Sequence, residues 1–294
     1  MRKILIFSCQ NTCNYVLPIS ILFTFSMVIY LAMFKSLDEI VLQTKTTQTN
    51  RYFKGRTIHI VTQFPVMHHD QYERQKEYIN TLKLNLNHSL VERIHLLLEN
   101  DHDDEYISNL TTTSNINKIR YHPLNRRMRY GDAFRYISQF LLNKTAIIMN
   151  ADCYLGHGFQ KLNEKSLRRG TIYALTRHER NKYCKENDLC SAQARYIGSH
   201  DAFVMNLVRP LSKKVLNTLM VRQNIVGVEK FVIYTLREHG KYKIKNPCHI
   251  LVIYHNHCSG FRKLPARLIN GKRFNVEYLK NVSHWKTIAP FSGL

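Results

Sequence analysis

Glycine is scarce, with 11 residues in 294, and the chain shows none of the spacings that a phosphate-binding loop requires. The turn after the first strand-like run reads Thr62-Gln-Phe-Pro-Val66, without the small residues that let backbone N–H groups close on a phosphate. No G-x-G-x-x-G and no G-x-x-x-x-G-K-[ST] occurs, which sets aside dinucleotide dehydrogenases and P-loop enzymes and argues against a sulfotransferase. Cys-x-x-Cys pairs and His-x-x-x-His spacings are also missing, so no zinc motif is read. Acidic residues are few: 21 Asp and Glu stand against 43 Lys and Arg, a formal charge of +22. Such a surface suits phosphate-rich ligands, anionic lipid or nucleic acid. The basic residues are spread along the chain, and no finger, homeodomain or RNA-recognition motif accompanies them, which argues against nucleic acid. No internal repeat is found. An apolar content of 44% is ordinary for a packed globular protein and excludes a chain disordered throughout.

What is present begins at the N-terminus. From Tyr15 to Phe34 no residue carries a formal charge, and at about 1.5 Å per residue that run spans a hydrocarbon core of about 30 Å. Arg2 and Lys3 precede it. The reading is a cytoplasmic tail over 1–14, a transmembrane signal-anchor helix over 15–34, a polar stem over 35–55 and a lumenal domain over 56–294. A cleaved signal peptide is the alternative, but the apolar run is long for one and lacks a small-residue cleavage pattern. Sequons at Asn87, Asn109, Asn143 and Asn281 are compatible with a lumenal location. In an oxidising lumen Cys184 and Cys190, close together in a polar loop, are the expected disulfide.

Within the domain, strand-like and helix-like segments alternate. Thr57 to Thr62 reads as a strand, and Asp70-Gln-Tyr-Glu73 has capping-box spacing before a helix carrying Tyr72, Ile79, Leu82 and Leu86. Ile94 to Leu98 and Lys118 to His122 read as strands, with the acidic run Asp101 to Glu105 a solvated loop between them. A helix over Asp132 to Leu142 carries Phe134, Ile137 and Leu141. The short run Ala146 to Met149 then reads as a buried strand that stops at Asn150-Ala-Asp152. A helix over Phe159 to Leu167, a strand over Thr171 to Thr176, a helix over Val228 to Glu238 capped by Gly240, and strands over Tyr242 to Lys245 and Ile250 to Tyr254 follow. Connections too long for hairpins argue an α/β fold with a mostly parallel central sheet built by right-handed crossovers. In such sheets ligands bind at the carboxyl ends of the strands, which singles out Asp152.

Asn150-Ala-Asp152, with Arg129-Tyr-Gly-Asp-Ala-Phe134 before it and Ala174-Leu-Thr-Arg177, Gly198-Ser-His-Asp201 and Tyr254-His-Asn-His257 after it, resembles the glycosyltransferases of the GT-A, nucleotide-diphospho-sugar transferase fold. The resemblance covers residues 56–262, and a type II anchor with a lumenal domain is the usual plan of that superfamily's Golgi enzymes. It implies a Rossmann-like sheet, a nucleotide-sugar donor, a glycan or glycoconjugate acceptor, and Mn²⁺ or Mg²⁺ on the donor diphosphate. Where the family's D-x-D has two acids, this chain has Asn150 and Asp152. The resemblance makes Asp152, with His257 or His255, the metal ligands, and Asn150, Asp152, Arg129 and Arg177 the donor-binding residues. The base that takes the acceptor proton is Glu229, at a helix start, or Asp201. A glycan-binding protein on the same fold, without activity, is the rival implied by the neutral Asn150. Protease added to sealed microsomes is expected to spare residues 56–294; digestion of that region without detergent would overturn the lumenal assignment.

Overall fold

The structure, a computed structural model, describes residues 57–67, 69–110, 115–179, 189–190, 199–260 and 264–294. All of them fall in one compact unit, Arg56–Leu294. Segment 15–34 lies outside the described residues, among which no helix is long and apolar enough to cross a membrane.

In chain order the elements are β1 (Ile58–Thr62), α1 (Tyr72–Asn87), β2 (Val91–Leu98), α2 (Asp103–Leu110), β3 (Ile119–Pro123), α3 (Tyr130–Phe140), β4 (Thr145–Met149) and β5 (Cys153–Leu155). After them come α4 (Glu164–Arg168), β6 (Thr171–Leu175), β7 (His178–Glu179), β8 (Ala202–Met205), α5 (Lys213–Thr218), α6 (Val228–Tyr234), β9 (Lys243–Lys245), β10 (Ile253–His255) and α7 (Phe274–Tyr278). The main sheet has the order β3-β2-β1-β4-β8-β6-β9, and a small sheet has the order β5-β10-β7. The pairings β3-β2, β2-β1, β1-β4 and β6-β9 are parallel. β8 departs from the expected parallel rule: it runs antiparallel to both β4 and β6. Its run Ala202-Phe-Val-Met205 is apolar throughout, and such a pattern carries burial without direction.

β4 explains why both layers form. Ala146 and Ile148 face a core shared with α3, α5 and α6, whereas Ile147 and Met149 face the opposite core with α1, and each is at most 1% exposed. Fully burying each isoleucine contributes about 1.5–3 kcal/mol. The strand order reverses between β1 and β4, so a crevice opens at their carboxyl ends. Thr62 ties that edge together, its hydroxyl donating to Met149 O at 2.7 Å.

Several local expectations change. α1 starts after a 3₁₀ turn, with Gln71 rather than Asp70 at its N-cap and no side-chain cap bond; Tyr72 is 63% exposed rather than part of the buried stripe. The acidic run is not only a loop, because buried Asp103 opens α2 and accepts from the Asn100 N–H at 3.1 Å. The helix expected over Phe159 to Leu167 splits into a 3₁₀ turn and α4, since Asn163 caps the second piece by accepting from Ser166 N–H. α6 passes into a π turn, Thr235–His239, and Gly240 closes it with a right-handed φ of −84°. Glycine is needed there for space instead, because a Cβ would come 2.6 Å from Leu236 O. The disulfide joins Cys190 to Cys248, not to Cys184. Proximity in sequence favoured the nearer pair, but Cys248 precedes β10, which pairs with β7, and the fold brings its thiol to Cys190. Cys258 is also disulfide-bonded, and Cys153 is free and buried.

Because Ile147 and Ile148 fill different cores, Ile147→Ala and Ile148→Ala are each expected to cost about 2–5 kcal/mol in urea unfolding. The absence of a cost from either would mean that its face of the sheet is not packed as described.

Candidate active site

The carboxyl end of β4 turns at Asn150-Ala-Asp152, and the turn hands the chain to β5 in the small sheet. β5 pairs antiparallel with β10, which places His255 opposite Cys153. The Asn256 N–H donates to Asp152 O at 2.8 Å, locking this register. His255 Nε2 then lies 3.3 Å from Asp152 Oδ2, and its Nδ1 is 3.1 Å from Glu179 Oε1 on β7. The His257 ring stands 5.5 Å from that of His255, while the Asn256 amide turns to α1 and donates to Glu77 O. Alternation along residues 255–257 thus puts both imidazoles on one side and the Asn256 amide on the other.

The same Asp152 oxygen accepts from Arg74 Nη2 of α1 at 2.5 Å. Arg74 also donates to Glu77 and to Asn256 O, and its guanidinium stacks 4.3 Å from the Tyr78 ring. Burial alone would raise the Asp152 pKa, but the charges and hydrogen bonds of His255 and Arg74 outweigh it and hold the carboxyl well below its usual range.

A second group lies on the β8 side. The Asn150 amide donates to Asp201 Oδ1 at 3.0 Å and accepts from Gln223 Nε2 at 3.0 Å. Arg177, just after β6, donates to Asp201 at 3.1 and 3.3 Å and through Nε to Glu179 at 2.9 Å. His200, next to Asp201, is fully buried, and that burial pushes its pKa down to about 3, so it is neutral. Glu229 sits in the first turn of α6, after Gly227 at φ +85°. Burial, then the Asp201 charge, push the Glu229 carboxyl up to about 7.

The fold thus brings Asn150, Asp152, Arg177, Asp201, His255 and His257 into one bonded or neighbouring set, with Glu229 coupled to it through Asp201. Arg129 is set apart: it is half-buried at the start of α3, where its N–H donates to Asp132, and among the described residues it forms no ion pair with this set. Three participants escaped the sequence reading: Arg74, Glu179 and Gln223. Arg74 carried a signal, since it lies four residues from Tyr78 and eight from Leu82 on the stripe that α1 buries, where a lone cation needs a partner. Glu179 was visible only as one polar residue closing a strand, and Gln223 left no pattern.

Asp152, His255 and His257 each offer a ligand atom, and these atoms lie within 4.8 Å of one another. One carboxylate and two imidazoles suit Mn²⁺ and similar divalent ions, so the residues present fit such an ion. Asn150, by contrast, has both ends of its amide engaged within the protein.

No protein-family model matches this chain. No curated protein sequence matches it significantly. Among solved structures it is similar to 4-diphosphocytidyl-2C-methyl-D-erythritol synthase from Anaerococcus prevotii DSM 20548, at 10% identity and a TM-score of 0.39 over 72% of this chain and 94% of that one. It is similar also to UDP-glucose pyrophosphorylase from Acinetobacter baumanii, at 8% identity and a TM-score of 0.30 over 68% of this chain and 85% of that one. TM-scores this low leave the functional argument to the site's own residues.

Arg74→Met would strand Asp152 without its guanidinium partner and is expected to cost about 3–5 kcal/mol in urea unfolding at neutral pH. The native Asp152 pKa is depressed, so the stabilisation is present above the unfolded-state value of about 4 and fades as pH falls below it. The gap between wild type and variant should therefore narrow on acidification, and a gap independent of pH would contradict the pairing.

Proposed function

We propose that the chain is a glycosyltransferase that moves a sugar from a nucleotide-diphosphate donor to the hydroxyl of a glycan or glycoconjugate. The observation that carries this reading is the pairing, at one strand edge, of a carboxylate–imidazole set suited to a diphosphate-bound cation with a separate carboxyl, Glu229, poised near neutrality. The residue pattern around Asn150-Ala-Asp152 supports it as well.

Asp152, His255 and His257 would hold Mn²⁺ or Mg²⁺, which when bound neutralises charge on the departing diphosphate. The chain's own groups divide the remaining work. In an inverting displacement Glu229 takes the proton from the attacking acceptor hydroxyl, and a carboxyl near 7 is matched to that task. Burial, then the charge of Asp201, keeps Glu229 basic, while Asn150, itself held by Gln223, fixes where Asp201 points. The seclusion of Asp152, whose side chain is 15% exposed, strengthens each of these interactions by excluding water.

The setting proposed is a Golgi or endoplasmic reticulum membrane, with 15–34 as a type II anchor and the domain in the lumen. The disulfide Cys190–Cys248 favours that oxidising compartment. A second reading, a glycan-binding protein without activity, draws on two observations: the Asn150 amide is committed to neighbours, and Arg74 already supplies a cation to Asp152.

A panel of UDP- and GDP-sugars, with and without Mn²⁺, separates the two. Donor hydrolysis or transfer is expected, lost in Asp152→Ala, with kcat/KM rising with pH through about 7 and that limb absent in Glu229→Gln. Turnover that survives Asp152→Ala overturns the site, and sugar binding without turnover favours the second reading.

A further inference from the structure

Arg177 was expected to face a diphosphate, yet its guanidinium is turned inward. Its side chain is 13% exposed, and its partners Glu179 and Asp201 are 5% and 4% exposed. Nε and Nη1 are spent on these two acids, which belong to different sheets: Glu179 lies on β7 of the small sheet, and Asp201 immediately precedes β8 of the main sheet. From each acid a further polar chain leads to a different end of the cleft. Glu179 accepts from His255 Nδ1, which turns Nε2 toward Asp152. Asp201 accepts from Asn150 and stands close enough to Glu229 for its charge to act there.

We propose that Arg177 is a positioning residue common to both ends of the site, and not a diphosphate ligand: through Glu179 it orients His255 for a cation, and through Asp201 it fixes the acid that bonds Asn150 at the end of β4. A planar fork that donates in two directions is what joins two carboxylates on separate sheets, and a lysine lacks that geometry. A carboxylate behind a metal-binding imidazole fixes the ring and its tautomer, and loss of such a partner commonly weakens metal binding by about 10–100-fold. At the other end, the groups acting on Glu229 are Asp201, Arg267 and Arg177, with Tyr130 and Lys230 also within its field. Of these, Arg177 alone also bonds the acid behind His255 among the described residues.

The inference rests on the transfer reading for the roles of the two ends, but it can be tested without donor or acceptor, so its failure is distinct from a failure of that reading. In the full-length protein, Mn²⁺ uptake is followed by electron paramagnetic resonance, and the Glu229 titration by carbon NMR of ¹³C-glutamate-labelled protein, assigned through Glu229→Gln. Glu179→Gln should weaken Mn²⁺ binding about tenfold or more and leave the Glu229 midpoint in place. Asp201→Asn should do the reverse, moving the midpoint down from about 7 because a raising charge is gone, with Mn²⁺ binding unchanged. Arg177→Met should weaken Mn²⁺ binding and move the midpoint up, since a cation that favours the carboxylate is lost. Arg177→Lys should recover only part of each effect. If Arg177→Met does not fold, the two single-arm variants carry the test. Wild-type protein that takes up no Mn²⁺, an Arg177→Met protein unchanged in either readout, or single-arm variants that each move both readouts equally would overturn the proposal. Removing an arginine that only awaited a diphosphate would leave Mn²⁺ uptake unchanged or strengthen it, since a nearby positive charge is gone, so a weakened uptake separates the two roles.

Discussion

The site depends on holding three carboxylates together beyond the end of β4, within the electrostatic reach of a fourth on α6. Asp152, Glu179 and Asp201 converge there, with Glu229 coupled to Asp201, in a chain whose acids number 21 against 43 basic residues. Two like charges 4 Å apart repel by about 4 kcal/mol in the partly screened environment of a protein. The cluster persists because nitrogen groups are interleaved: the Arg74 guanidinium on Asp152, the His255 imidazole between Asp152 and Glu179, and the Arg177 guanidinium between Glu179 and Asp201. Glu229 differs, because burial and then the charge of Asp201 push its carboxyl up to about 7 against the opposing charges of Arg267 and Arg177. The site thus holds Asp152 well below the usual carboxylate range and leaves Glu229 near its proton-transfer range.

The fold supplies the meeting point. A sheet whose strand order reverses between β1 and β4 leaves a crevice at that junction, and the antiparallel β8 then brings Asp201 beside Asn150. The small sheet does the corresponding work on the other flank. β10 pairs with β5 and β7 at once, so a single short strand carries His255 to both Asp152 and Glu179. The disulfide Cys190–Cys248 braces the approach to that strand, and Glu77 accepts from the backbone N–H groups of Cys258 and Ser259 just beyond it. Arg74, Glu179, His255 and Glu229 lie on helices or strands, and Asn150, Asp152, Arg177 and Asp201 each adjoin a strand end, which favours preorganised electrostatics over adjustment on binding.

The alternation of elements was legible from the chain, and so was the position of Asp152 just beyond a buried strand. An apolar run too short for a helix and ending in a carboxylate has few other places in an α/β domain, and β4 is buried on both faces as that reading requires. The pair His255 and His257 was legible as a pair, because period-two alternation puts them on one side, but its contact with Asp152 depends on antiparallel pairing with β5. Arg177 was visible as a cation near the site, but its burial between two acids was not, since net basicity makes an exposed arginine the ordinary expectation. Glu179 could not be singled out, because an acid after a strand acquires meaning only from what lies across from it.

Read alone, the chain decides periodicity, the ends of buried runs and the supply of charged groups, because these depend on neighbours a few residues away. It thereby determined the layered α/β plan and the strand end that bears Asp152. Tertiary structure decided which partners those groups meet: β8 reversed, Cys190 joined to Cys248, Arg74 placed on Asp152, and Arg177 locked between two acids. Each of these joins residues 24 or more positions apart except the Arg177–Glu179 contact, which is local but takes its meaning from Asp201 and His255. Pairings over such distances depend on which surfaces pack and which buried charges are compensated, and no local pattern in the sequence encodes that.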